Sequence, residues 1–331
     1  MGWKGTLRSI ESSLKRAARE AERDSKRRHR ELVIRHKELA KLEAKAQAAY
    51  EVEAFENLLD RLTTMHKEPV ETPDWMLLAK EPPPVEPTKS KAQQSYAEEK
   101  LRSFKPSFFD RIFKRAEKSH AKLITAIDHA KKKDEDEYQT KLRRYRSKLS
   151  DWEERTHFSR RMLDGDFDAF REAIESMELF AEIKEFGSQI DITISRNATS
   201  SINLKIHGET VIPKEKKALL QSGKVSAKNM PVGEFYAHFQ DHVCSTALRA
   251  ANELLAVIPI DMVIVTVTDK LLDSATGHLI EQPILSVKIP RQTLQSLNLP
   301  HLDASDSMRN FVHNMDFKKT KGFAPVVTIS E

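Results

Sequence analysis

The sequence predicts an α+β protein, in which a long antiparallel helical hairpin (a coiled coil) precedes a compact α+β domain. Three observations predict it. Apolar residues recur at spacings of three and four through residues 4–67 and again through 106–163, on either side of a proline-rich break at 68–90. Only three of the nine glycines, Gly2, Gly5 and Gly165, precede residue 187, so the first half has few tight turns. From Gly187 onward the apolar pattern changes to alternation with period two. The expected division is a hairpin over 1–165, a linking helix over 166–186 and an α+β domain over 187–331.

The first helix is read over 4–67. Leu7, Ile10, Leu14, Ala17 and Ala21 open its stripe, which resumes at Leu32, Leu39, Leu42, Ala46, Ala49, Val52, Phe55, Leu59 and Leu62. Between them Asp24, Ser25 and Arg28 weaken the seam. Pro69 and Pro73 end the helix, and Pro82, Pro83, Pro84 and Pro87 keep the connector extended. Asp74–Leu78 is read as one helical turn and 91–103 as a short helix. Pro106 and Ser107 open the second long helix, striped by Phe109, Ile112, Ala116, Leu123, Ile127, Ala130, Leu142, Tyr145, Leu149 and Trp152. Antiparallel packing, with paired positions summing to about 174, sets Asp134–Glu137 against Arg35, Lys37 and Lys41.

Phe167, Phe170, Ile174, Met177, Phe180 and Ile183 share one face of the linking helix. Ile190, Ile192 and Ile194, then Ile202, Leu204 and Ile206, predict a β-hairpin turning at 197–201. Val211–Ile212 is read as a third strand, 231–257 as an amphipathic helix, and 262–267 and 283–289 as strands around a turn at 273–278. Short helices are expected at 291–297 and 303–315, and a last strand at 326–329.

Charge bears on partners. Residues 1–45 carry 14 Lys/Arg against 7 Asp/Glu, while the whole chain carries +5. A basic first segment suits an acidic partner. Two helical clusters, Lys26, Arg27, Arg28 and Arg30, and Arg143, Arg144 and Arg146, present rows that neutralise phosphates without reading bases. Lys318, Lys319 and Lys321, flanked by Phe317 and Phe323, form a third basic segment in which a ring stacks on a base or anchors in the core. A solvated coiled-coil face is the more common explanation of the helical clusters.

His238 and His242 stand four apart on a helix and are weak candidates for a metal site. The zinc-protease pattern needs Glu directly after the first histidine. Phe239 stands there, and no clear third ligand follows. No metal or cofactor is expected. The single cysteine, Cys244, excludes an internal disulfide and suits a reducing, cytoplasmic setting. No phosphate loop, dinucleotide fingerprint or nucleophile elbow occurs. No acid-x-lysine triplet follows Asp191, as a metal-dependent nuclease core would need. The start Met1–Thr6 fits a loose myristoylation pattern that bulky Trp3 opposes. Trp3, Leu7, Ile10 and Leu14 outline an interfacial face that packing on protein explains as well, so a membrane surface is not the expected partner.

Met1–Thr6, the Ala49–Glu53 segment, Pro106–Phe109 and Lys319–Phe323 resemble an uncharacterised family of bacterial coiled-coil proteins with a C-terminal α+β domain. The resemblance spans most of the chain. It implies a bacterial, cytosolic protein of this two-part layout, and no activity or functional residue comes with it. The expectation is a non-enzymatic interaction or scaffold protein that binds protein partners or itself. Nucleic-acid association through the basic faces is the first alternative. A hydrolase of unidentified type in 187–331 is the second.

Overall fold

The computed structural model describes residues 3–105, 116–195, 200–273 and 275–330; in the first helix it describes side chains from Glu31 onward. It combines long helices with a mixed sheet and divides into two compact units. One gathers the chain up to Val70, Phe180–Leu255 and everything from Ile260. The other gathers Glu71–Leu179 with Ala256–Pro259.

The first unit contains α1 (Trp3–Thr64), which closes in a 3-10 turn at Met65–Lys67. At 1.5 Å per residue, α1 is about 90 Å long. The sheet has the order β1-β2-β5-β6-β7-β8: β1 (Gln189–Thr193), β2 (Ser200–Lys205), β5 (Met262–Leu272), β6 (Leu279–Pro290), β7 (Val312–Lys318) and β8 (Gly322–Ala324). β2 and β5 are parallel and every other pair is antiparallel. The crossover from β2 to β5 carries α7 (Gly208–Val211), a separate hairpin of β3 (Glu215–Leu219) and β4 (Val225–Asn229), and α8 (Val232–Val257). α6 (Ala181–Glu185) precedes the sheet; α9 (Arg291–Ser296) and α10 (Ala304–Ser307) follow β6.

α8 buries Phe239, Val243, Cys244, Ala247, Leu248 and Leu254. Its contacts reach β7 through Cys244 and Met315 (Sγ to Sδ 3.9 Å) and β8 through Phe239 and Phe323 (ring centroids 5.1 Å apart). The β3–β4 hairpin packs against α1, where Lys217 faces Glu51 and the Lys45 side chain crosses Gly223.

In the second unit, α2 (Trp75–Ala79) and α3 (Ala92–Arg102) lie on α4 (Ala116–Leu163), and α5 (Phe167–Ser176) follows. The Trp75 ring meets Phe158 edge-on, and its Nε1 donates to the Val257 carbonyl. Trp152 Nε1 donates to the Glu81 carbonyl. Asp134 is buried and accepts the backbone N–H groups of Gln93 and Gln94, so it caps α3 from a neighbouring helix. Glu135 pairs with Lys89 and Glu137 with Lys141. Asp134, Glu135 and Glu137 thus have partners inside their own unit.

The structure corrects four expectations. The linking helix over 166–186 is two helices, broken where Glu178 and Phe180 take left-handed backbone (φ 49° and 66°). That turn aims the Phe180 N–H at the Glu253 carboxylate. Val211–Ile212 is not a strand: the N–H groups of Thr210 and Val211 fold back onto the His207 carbonyl and make α7. Residues 303–315 are not one helix. After α10 and a 3-10 turn at Met308–Asn310, the chain extends into β7 and pairs with β6. Residues 326–329 run beside β6 without forming a ladder, held by Val326 N–H on the Pro283 carbonyl and Ile329 N–H on Ser286 Oγ. Residues 197–199 of the expected turn and the start of the second long helix fall outside the described residues, as do the side chains of Met1–Thr6, while Ser200 and Ser201 already belong to β2.

Candidate functional site

α8 carries a polar stripe. His242, Ser245, Arg249 and Glu253 are spaced three, four and four residues apart, which sets them along one side of the helix. This stripe seizes the end of α1. In a continuing helix the Leu62 carbonyl would accept the His66 N–H. Here that N–H turns to Ser245 Oγ (3.2 Å), and His242 Nδ1 donates to Leu62 in its place (3.1 Å).

The His66 ring is satisfied on both sides. Its Nε2 lies 3.2 Å from the Leu302 carbonyl, which only accepts, so Nε2 carries the proton. Nδ1 then accepts the Ser245 hydroxyl at 2.9 Å. One turn further, Arg249 Nη1 donates to the Glu68 carbonyl (2.8 Å) while its Nε pairs with Glu253, which also takes the Phe180 N–H. Burial pushes His242 down to about 4, against the Leu62 carbonyl. Burial likewise lowers His66, opposed by the Leu302 carbonyl. Both rings are held neutral.

The Ser245–His66 contact has the geometry of a nucleophile and its base. Both residues are essentially inaccessible, and the second ring nitrogen is committed to a main-chain carbonyl. The pair is a fastening for α1. Cys244 is fully buried, which pushes its thiol far up and leaves it inert. The sequence candidate His242 is thus spent on α1, while His238 sits half-buried on the same helix. Among the described residues, no group of three His, Cys, Asp or Glu is arranged to hold a metal ion.

Beside this fastening lies a titratable cluster. Asp241 is raised by burial and by the Asp303 carboxylate, against Ser305 and the charges of His238 and Lys319. Asp303 is itself desolvated, yet it is lowered overall by the Asp306 N–H that it accepts at the start of α10 and by Ser305.

The basic candidates separate. The side chains of Lys26, Arg27, Arg28 and Arg30 lie outside the described residues. Arg143, Arg144 and Arg146 are exposed on α4, with Tyr145 half-buried between them. Lys318, Lys319 and Lys321 are exposed on the β7–β8 turn. Phe317 and Phe323 pack on each other, centroids 5.0 Å apart, and Phe323 packs on Phe239 as well, so these rings anchor the turn. The aromatic neighbour that sequence reading missed is Tyr236 of α8. A Cβ built on Gly322 would lie 2.6 Å from that ring, and the Lys319 carbonyl approaches Gly233. Tyr236 also lines a cavity of about 260 Å³ with Lys214, Met230, Val232 and Phe235.

Among the described residues, α1 carries a row of exposed apolar side chains. Leu32, Leu39, Leu42 and Tyr50 are 65 %, 53 %, 63 % and 66 % exposed, whereas Ala48, Val52, Phe55 and Leu62 are buried. At about 100° per residue, Leu32, Leu39, Ala46 and Tyr50 fall within about 40° of one another, and Leu42 lies just beyond. Val52, Phe55, Leu59 and Leu62 cluster on the opposite side. The helix therefore shows one apolar face to its own domain and a second face away from it. Sequence reading had joined the two into one seam, because a spacing of 3.5 drifts slowly around a straight helix.

Among the described residues no helix is long and apolar enough to cross a membrane. Comparison of the chain with protein-family models, with curated proteins and with solved structures yields no match.

Proposed function

We propose that this chain is a non-enzymatic scaffold: an α+β domain that holds out a coiled-coil strand, α1, for a protein partner. The observation that carries this reading is the exposed stripe of Leu32, Leu39 and Leu42, on a helix whose far end is locked by His242, Ser245 and Arg249. Exposed apolar rows of this length mark interaction surfaces. A helix fixed at one end holds its stripe in a set direction, which lowers the entropic cost of docking. The antiparallel hairpin expected from sequence, with α4 as the second strand, is one seat for this stripe. The bacterial family resemblance and a cytosolic setting belong to the same proposal.

The test is capture from the native host with the full chain as bait. The scaffold reading expects a stoichiometric protein that the Leu39→Glu/Leu42→Glu variant no longer retains. An identical set of captured proteins with both baits would overturn it.

A second reading, nucleic-acid association, is favoured by one observation: Lys318, Lys319 and Lys321 stand on an exposed turn against Tyr236. Three phosphate contacts would weaken with salt with a log–log slope of roughly −2 to −3.

A further inference from the structure

We infer that the partner of the exposed α1 stripe is the same stripe on a second copy of this chain, running antiparallel; this rests on the scaffold reading above. The argument is charge complementarity. Setting Leu32, Leu39 and Ala46 as one series of core positions makes Arg35, Leu42 and Ala49 the other. Parallel, in-register pairing then stacks Arg35 on its own copy inside the seam. It also sets Glu38 beside Glu43 of the other helix. Both contacts are repulsive.

Antiparallel pairing removes both faults. When paired positions sum to about 81, Leu39 meets Leu42, Leu32 meets Ala49, and Arg35 lies over Ala46, where its long side chain can reach solvent. The flanking positions bring Glu38 beside Lys45 and His36 beside Glu43. A two-fold axis makes each of these contacts twice. All of these residues are exposed; the Lys45 stem lies across Gly223 of the β3–β4 hairpin, so its ammonium meets Glu38 from the rim of that hairpin. The stripe also lies opposite the face that α1 spends on its own domain, where Val52, Phe55 and Leu62 are buried, so a second helix has room to lie along it. α1 runs from Trp3 to Thr64, and this register falls well inside it.

Sedimentation equilibrium of the full chain tests the inference. The wild type is expected at twice the 37.9 kDa chain mass. Leu39→Glu/Leu42→Glu is expected to be monomeric with an unchanged far-UV circular dichroism spectrum at 25 °C, since both side chains are exposed. Glu38→Lys should weaken the dimer at least about tenfold, and adding Lys45→Glu should restore it; that rescue is not expected from a merely structural defect.

Direction is read by oxidation. Ala46→Cys mixed with Arg35→Cys should give a cross-linked heterodimer, while Ala46→Cys alone should stay uncrosslinked. The native thiol of Cys244 is buried and stays silent. A monomer at every concentration overturns the inference, and so does a dimer indifferent to Leu39 and Leu42. Efficient self-cross-linking of Ala46→Cys overturns the antiparallel register. If the chain is monomeric but the double Glu variant loses a host protein, self-pairing fails while the scaffold reading stands. If that variant loses nothing, both fail.

Discussion

His242 Nδ1 donates to the Leu62 carbonyl at 3.1 Å, and this bond between residues 180 positions apart ties the central helix of the domain to the end of α1. The carbonyl is free to accept because Ser245 has drawn away the His66 N–H that a regular helix would have aimed at it. A helix end is ordinarily a row of unsatisfied groups. Here that row is the point of attachment.

Removing the donor leaves a buried carbonyl unsatisfied. His242→Ala should destabilise the chain by about 2–4 kcal/mol, from the orphaned acceptor and the cavity together. His242→Asn returns an N–H near the position of Nδ1 and should recover part of the loss. Urea unfolding at neutral pH distinguishes the two.

The same ring makes stability depend on pH. Its folded-state value is about 4 against an ordinary 6.5. Above pH 6.5 the ring is neutral in both states and its contribution is complete. As pH falls from 6.5 towards 4, the unfolded chain takes up a proton that the folded chain refuses, and stability declines by about 3 kcal/mol. His66, lowered by burial, acts in the same direction. Asp241, raised by burial, acts oppositely: protonation favours its folded state as pH falls. Melting temperatures from pH 7.5 to 4 should therefore drop in the wild type and fall less in His242→Asn.

Arg249 and Glu253 form a pair whose side chains are only 12 % and 8 % exposed. Arg249→Met leaves the Glu253 carboxylate with the Phe180 N–H alone of these contacts and frees the Glu68 carbonyl. The expected loss is about 3–5 kcal/mol, the usual result of breaking one side of a buried pair. Replacing both residues with Met should cost less than the single change, and denaturant midpoints report the order.

Legibility from sequence followed the physics of each element. The two long helices and α8 were readable because their stripes repeat over many turns. The β3–β4 hairpin was not, because Lys216, Ala218, Lys224 and Lys228 lie on open faces and leave no alternation to read. β7 passed for helix because Met308, Val312 and Met315 are spaced four and three apart. In the strand, Phe311, His313, Met315 and Phe317 alternate inward instead. Val211 and Ile212 are strong strand formers, overridden by the turn from His207. His66, Ser245 and Leu302 are separated by up to 236 residues, and no local pattern announces their meeting.

Gly322 shows why the basic turn has its shape. Its backbone is left-handed (φ 77°), and the Tyr236 ring stands where a Cβ would go. Gly322→Ala should cost about 1–2 kcal/mol. Tyr236→Ala in the same chain should relieve the crowding but not the backbone strain. Chemical denaturation of the two variants beside the wild type tests this, and a salt titration of nucleic-acid binding in Lys318→Glu/Lys319→Glu/Lys321→Glu tests the turn's second reading.

The most direct measurement is in-cell photo-cross-linking from position 39 of the full chain in its native host. A scaffold that presents this face predicts a discrete adduct, a second copy of the chain or another protein, that Leu42→Glu abolishes. A probe at Leu39 that cross-links only within its own chain, or gives the same adducts with Leu42→Glu, would contradict it.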